Sequence, residues 1–208
     1  CPLVIHRRCK DPMFTVANEL SYGGFMINKT IDSDDPIDPC KESCWITYDA
    51  SNIESSTGKD RYIEVQGQIA FELIQKLRAR NTKFKDIFII TPFTTVAYGF
   101  KKYMESISDD IVNWTDKDNK SSWLKDNIGT VHTFQGKEAN VVIYMLGCQS
   151  DGSANGAIKW VNANNVNVAF TRAKEYVYVI GDATKWAELN KNLAFTQRYL
   201  PVYTLEDI

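Results

Sequence analysis

The chain has 208 residues, 44% hydrophobic and 24% charged, with a net charge of −2. That length is enough to bury a sizeable core, and the near balance of charge excludes a broad cationic coat, so any nucleic-acid contact has to come from a local patch. No apolar run is long enough to span a bilayer and CPLVIHRRCK lacks the basic-then-apolar order of a signal peptide, which gives a cytoplasmic, non-membrane reading.

In chain order, residues 12–22 (PMFTVANELSY) predict a short helix. Pro12 stands at its start, Met13, Val16, Ala17 and Leu20 share one face, and Gly23-Gly24 stops it. The Asp-, Pro- and Ser-rich stretch 28–43 reads as an exposed loop before a strand at 45–48, and SNIESSTGKD at 51–60 as a second loop. From 61 to 79, Ile63, Gly67, Ala70, Ile74 and Leu77 recur at helical spacing as one buried stripe. DIFIITP, residues 86–92, has the pattern of a strand covered on both faces. A helix over 94–104 follows, with Tyr98 and Phe100 spaced as core residues. Residues 105–127 are polar and interrupted, a loop or irregular insert with Trp114 and Trp123 as islands. A short strand ending near Thr130, a strand over 139–146, a Gly/Ser/Asn loop at 147–156, a helix near 160–173 and a strand over 176–180 complete the series. Strands alternating with helices imply a three-layer α/β fold, a mostly parallel sheet with helices on both faces, and a single domain over 1–208 suffices. The chain opens on Cys1 rather than Met, and the expectation is a fragment of a longer protein.

Five cysteines without a repeated close pair argue against a disulfide framework. Cys40-x3-Cys44 supplies two zinc ligands, but with only His6 and His132 to join them a four-ligand site is not expected, and no metal centre is assigned.

In a parallel α/β sheet, ligands gather at the carboxyl ends of strands and in the loops that follow, or precede, the sheet's helices. Three polar clusters adjoin apolar strands: Thr91-Pro92-Phe93-Thr94-Thr95; Thr130 to Glu138, which includes His132 and Gln135-Gly136-Lys137-Glu138; and Asn167 to Lys174 on the helix leading into the last strand. Each alone also suits a strand end, a solvated turn or an exposed helix face. No phosphate-cradling G-x-x-x-x-G-K-[ST] loop occurs, since Gly58-Lys59 lacks the earlier glycine and is followed by Asp60.

Taken together and in this order, TVHTFQGKEANVVI and NVNVAFTRAKEYVYVIGD resemble motifs V and VI of superfamily 1 helicases, in the branch that includes the nonsense-mediated-decay helicases and their bacterial relatives. LVIHRRCKDPMFTVANELSYGG resembles that branch's motif IV region, and IFIITPFTTVAYGF its next strand. The resemblance implies a second RecA-like domain, of P-loop NTPase type without its own P-loop, completing an ATP site with a first domain of the same protein. ATP and Mg²⁺ are then held mainly by that first domain. By transfer, Arg172 is implied as the arginine finger and Arg8 as the motif IV arginine, with Arg7 beside it as the alternative. Glu138 is implied to bind ribose hydroxyls and Gly136 to let the backbone approach; Lys174 either adds charge near the phosphates or is simply a solvated residue. Thr91, Pro92, Phe93, Thr130 and His132 are implied to contact single-stranded DNA or RNA without reading its sequence. Across residues 130–182 four Lys/Arg face four Asp/Glu, which suits a narrow track. Relatives often carry Gln or Arg after Thr-Pro-Phe where this chain has Thr94-Thr95-Val96, so polar contacts there are not carried over. Two functions follow as expectations: a motor domain of an ATP-dependent helicase or translocase, inactive alone, or a non-catalytic RecA-like scaffold or nucleic-acid-binding module.

Overall fold

The computed structural model describes residues 4–33, 36–50, 61–112, 114, 119–148 and 154–208. In chain order its elements are β1 (Ile5–His6), α1 (Met13–Tyr22), β2 (Ile27–Asn28), β3 (Cys44–Ile46), α2 (Glu64–Ala79), β4 (Ile87–Thr91), α3 (Thr94–Ser106), α4 (Asp109–Val112), α5 (Lys120–Asp126), β5 (Ile128–Thr130), β6 (Ala139–Met145), α6 (Asn155–Trp160), α7 (Ala163–Phe170), β7 (Ala173–Ile180), α8 (Ala183–Leu189), α9 (Lys191–Thr196) and β8 (Val202–Tyr203). Six strands form one sheet in the order β5-β4-β6-β7-β3-β8, with every pairing parallel. β1 and β2 make a separate parallel pair.

Local sequence explains the main elements. β4 is buried at every position, as an apolar run between helical layers must be. α2 buries the predicted stripe of Gly67, Ala70, Ile74 and Leu77. α1 follows Pro12 and ends at Gly23, whose φ of 60° is a left-handed conformation that glycine adopts without a Cβ penalty. α2 and α3 pack together, α1, α7 and α9 form a second group, and α2 and α7 each touch β6 and β7. The sheet is therefore clad by helices on both faces, the expected RecA-like α/β arrangement.

Some expectations need correction. Residues 105–127 are not merely an irregular insert: they include α4 and α5, and their tryptophans are packed. Trp114 stacks on Phe84 with ring centroids 3.9 Å apart, and Trp123, buried, meets the same ring edge-on at 5.4 Å. The expected helix near 160–173 is two helices. It breaks at Val161, and Asn162 caps α7 by accepting the Asn165 amide at 3.0 Å. α7 stops at Phe170, so Arg172 lies in a turn and Lys174 on a strand. The strand expected at 45–48 runs from Cys44 to Ile46. The predicted loop at 51–60 and residues 149–153 of the next one lie outside the described residues. Among the described residues no helix is long and apolar enough to cross a membrane.

Candidate functional site

The amino ends of β6 and β7 lie side by side, with Ala139 paired to Ala173. Two backbone bonds draw three sequence segments to this rim. The Ala139 amide donates to the Arg172 carbonyl at 2.9 Å, and the Lys10 amide donates to the Lys174 carbonyl at 3.0 Å. Just before Lys10, the Cys9 amide donates to His6 Nε2 at 3.0 Å and closes a tight turn that carries Arg7 and Arg8. A backbone amide can only donate, so Nε2 is the unprotonated nitrogen of a neutral ring. Burial lowers the His6 pKa, Arg8 acts in the same direction, and Asp11 opposes them. Burial likewise pushes the Cys9 thiol up to about 12.

Glu138 joins the cations at this rim. Its Oε1 lies 2.9 Å from Lys174 Nζ and its Oε2 3.7 Å from Arg8 Nε, with Glu138 side-chain exposure 41%. Arg8 is thus the member of the arginine doublet paired with Glu138. Between Ala139 and Val141 the register shifts, so that three residues of β7 run alongside two of β6. Bulges of this kind re-aim neighbouring side chains, and this one adjoins Lys174 and Glu138.

Arg172 is buried, at 7% exposure. Its Nε donates to Val168 O at 3.3 Å, its Nη1 to Phe134 O at 3.4 Å and to Lys137 O at 3.1 Å, and its Nη2 to Thr171 Oγ1 at 3.4 Å. Most of a guanidinium's donors are therefore committed to this chain's own backbone and one hydroxyl. Burial lowers the Arg172 pKa, with nearby Arg8 the next cause and Glu138 opposing both; the group remains a cation at neutral pH. Arg8 and Arg172 converge at one rim of the sheet, where Arg8 is half exposed and Arg172 is inside.

This cluster sits at the amino ends of β6 and β7, the strands that Glu138 and the 167–172 segment lead into. The cause is the 131–138 connection. It leaves β5 at its carboxyl end, buries Phe134 against Phe88 with ring centroids 4.5 Å apart, and delivers Glu138 to the start of β6. Gly136, exposed and at φ 84°, makes the turn that this path requires.

The other predicted site residues lie on the carboxyl rim, where Thr91 pairs with Thr130. Thr91 is fully buried and its hydroxyl is turned back onto Phe93, accepting that residue's amide at 3.2 Å. Pro92 and Phe93 are buried, whereas Thr94 and Thr95 are exposed. Exposed hydroxyls on this rim begin at Thr94. Thr130 is half-buried and His132 exposed. The core reading holds for Phe100, fully buried, and fails for Tyr98, which is 59% exposed. The sequence reading passed over Arg61 and Trp160, which line a groove of about 500 Å³ with Pro92, Phe93, Thr94 and Thr95. An indole following the charged Lys159 and not fitting an apolar stripe was the available signal.

A family model described as an AAA domain matches residues 3–184. No curated protein matches the chain. Among solved structures, arterivirus nonstructural protein 10 (helicase) in complex with DNA is similar over 91% of this chain and 28% of its own, at 12% identity and a TM-score of 0.39. A crystal structure of arterivirus nonstructural protein 10 (helicase) gives 90% and 27%, at 10% identity and a TM-score of 0.38. The chain spans less than a third of the length of these viral proteins.

Proposed function

The chain belongs to the AAA domain family, and from that premise we propose that it is the second RecA-like motor domain of an ATP-dependent superfamily 1 helicase or translocase acting on single-stranded DNA or RNA. The observation that carries this reading is the meeting of Arg8, Glu138, Lys174 and Arg172, from three distant segments, at one rim. Two half-exposed cations bridged by one carboxylate suit the end of a polyphosphate, which competes with Glu138 for both of them. The rim has no glycine-rich cradle, and its acid is already held by two cations, so binding of the nucleotide's bulk and of Mg²⁺ is assigned to the first RecA-like domain. With ATP held there, the two domains would close around it and open after its hydrolysis.

The chain's own residues have distinct tasks. Arg8 faces outward and meets the terminal phosphate as the domains close. Glu138, released from Arg8 and Lys174, accepts from ribose hydroxyls. Arg172 braces the Phe134–Lys137 turn and brings a permanent positive charge to the same rim. Thr130 and His132 meet the strand on the opposite rim.

One observation favours the scaffold reading instead: Arg172 spends its donors on its own chain. Arg172→Ala in the intact protein separates the two. The motor reading expects strand-stimulated ATP hydrolysis to fall on the order of 10³-fold or more, with nucleotide affinity largely kept. Near-normal hydrolysis would rule out the finger role. Arg172→Lys, which keeps charge and part of the bracing, guards against simple unfolding, and should be as deficient in hydrolysis while melting close to the parent.

A further inference from the structure

Trp160 ends α6 with its side chain 57% exposed, whereas Trp45, Trp123 and Trp186 are buried. It stands at the mouth of the carboxyl-rim groove, with Phe93 behind it at 6.3 Å between ring centroids and 36° between planes. The Arg61 guanidinium lies 4.8 Å from the centroid of the Phe93 ring and lines the same groove. Thr94 and Thr95 add exposed hydroxyls. One helical turn beyond Thr94, exposed Tyr98 repeats the aromatic and cation pairing, with Lys102 Nζ 4.7 Å from its ring centroid.

An open π face, a guanidinium beside it and hydroxyls at the edge match the parts of a nucleotide: base, phosphate and sugar. The place is also right, since the groove opens directly after Thr91, the strand-pairing partner of Thr130. We propose that Trp160 is a stacking platform for one base of the single strand, with Arg61 taking the adjoining phosphate. This rests on the strand-binding reading above and names a contact outside the motifs that suggested it. Stacking tolerates any base, so the platform grips the strand without selecting sequence.

The test uses the intact protein, a short end-labelled oligothymidylate and an abasic strand of equal length, with affinity read by fluorescence polarisation. The parent protein should prefer the thymidylate. Trp160→Ala should weaken thymidylate binding roughly tenfold and leave abasic binding within about twofold, Trp160→Phe should restore most of the difference, and Arg61→Ala should weaken both strands alike. Thymidylate binding unchanged in Trp160→Ala, or lost equally on both strands, overturns the platform. A parent that binds both strands alike also overturns it while sparing the strand-binding reading; a parent that binds neither removes both.

Discussion

At Glu138 one carboxylate answers two cations, and the three side chains are each about two-fifths exposed. Exposed ion pairs contribute only about 0–1 kcal/mol each, so the arrangement serves the placement of charge more than stability. Glu138→Gln, which weakens both pairs, should accordingly lower the melting temperature by no more than about 8 °C while disturbing nucleotide response; a far larger loss of stability would mean that the pairs are structural. His6 makes the opposite case. Its folded pKa lies below the ordinary value of 6.5, because the ring is buried and its Nε2 already accepts the Cys9 amide. Below that value the unfolded chain binds more protons than the folded one, so stability falls as pH drops through it and is unaffected above. Urea unfolding at about pH 7.5 and about pH 5.5 should show a loss in the parent that is smaller in His6→Gln; equal losses would show that His6 does not titrate on unfolding.

At the scale of elements, capping asparagines hold the region that leads to Arg172. Asn162 caps α7 with a single amide bond, and Asn162→Ala should cost about 1 kcal/mol. Asn190 does more: it caps α9 by accepting from Asn192 and Leu193, and its Nδ2 donates to Ile158 O at 2.6 Å and Val161 O at 2.7 Å. Removing it takes away both cap bonds and the shorter bond to each carbonyl, leaving Ile158 O only the Val161 amide at 3.3 Å and Val161 O only Asn192 Nδ2 at 3.4 Å, so Asn190→Ala should cost roughly 3 kcal/mol in urea titration, clearly more than Asn162→Ala; equal costs would contradict the bracing role. These elements also mark what the sequence could show. β4, β6 and β7 were legible because buried parallel strands are nearly continuous apolar runs, and α2 because its stripe is long. The break at Val161 was not, since apolar Val161, Val166, Ala169 and Phe170 read through it as one helix. β1, β2 and β8 are two residues each, too short for any period. Trp114 and Trp123 looked isolated because the ring they pack on, Phe84, is remote in sequence.

In the whole molecule the predicted site divides between two rims of one parallel sheet. The cation cluster lies at the amino ends, and Thr130 with the Trp160 groove lies at the carboxyl ends, separated by the length of β6, roughly 20 Å. The motifs were readable as chemistry, and their order before or after each strand showed the division, but the path of the 131–138 crossing has no periodic signal. Arg8→Ala and Trp160→Ala share no contact, so their effects on ATP and strand affinity should add within about 0.5 kcal/mol when combined; strong coupling would show that the rims communicate through more than a rigid sheet.

The central claim is that Arg8, held at the rim by Glu138, meets the terminal phosphate of a nucleotide bound by the first domain. It is tested most directly by measuring ATP and ADP affinities of the intact protein and of Arg8→Ala. A charge-assisted bond to that phosphate predicts that the variant loses roughly tenfold in ATP affinity and almost nothing in ADP affinity. An unchanged ratio of the two affinities would contradict the account.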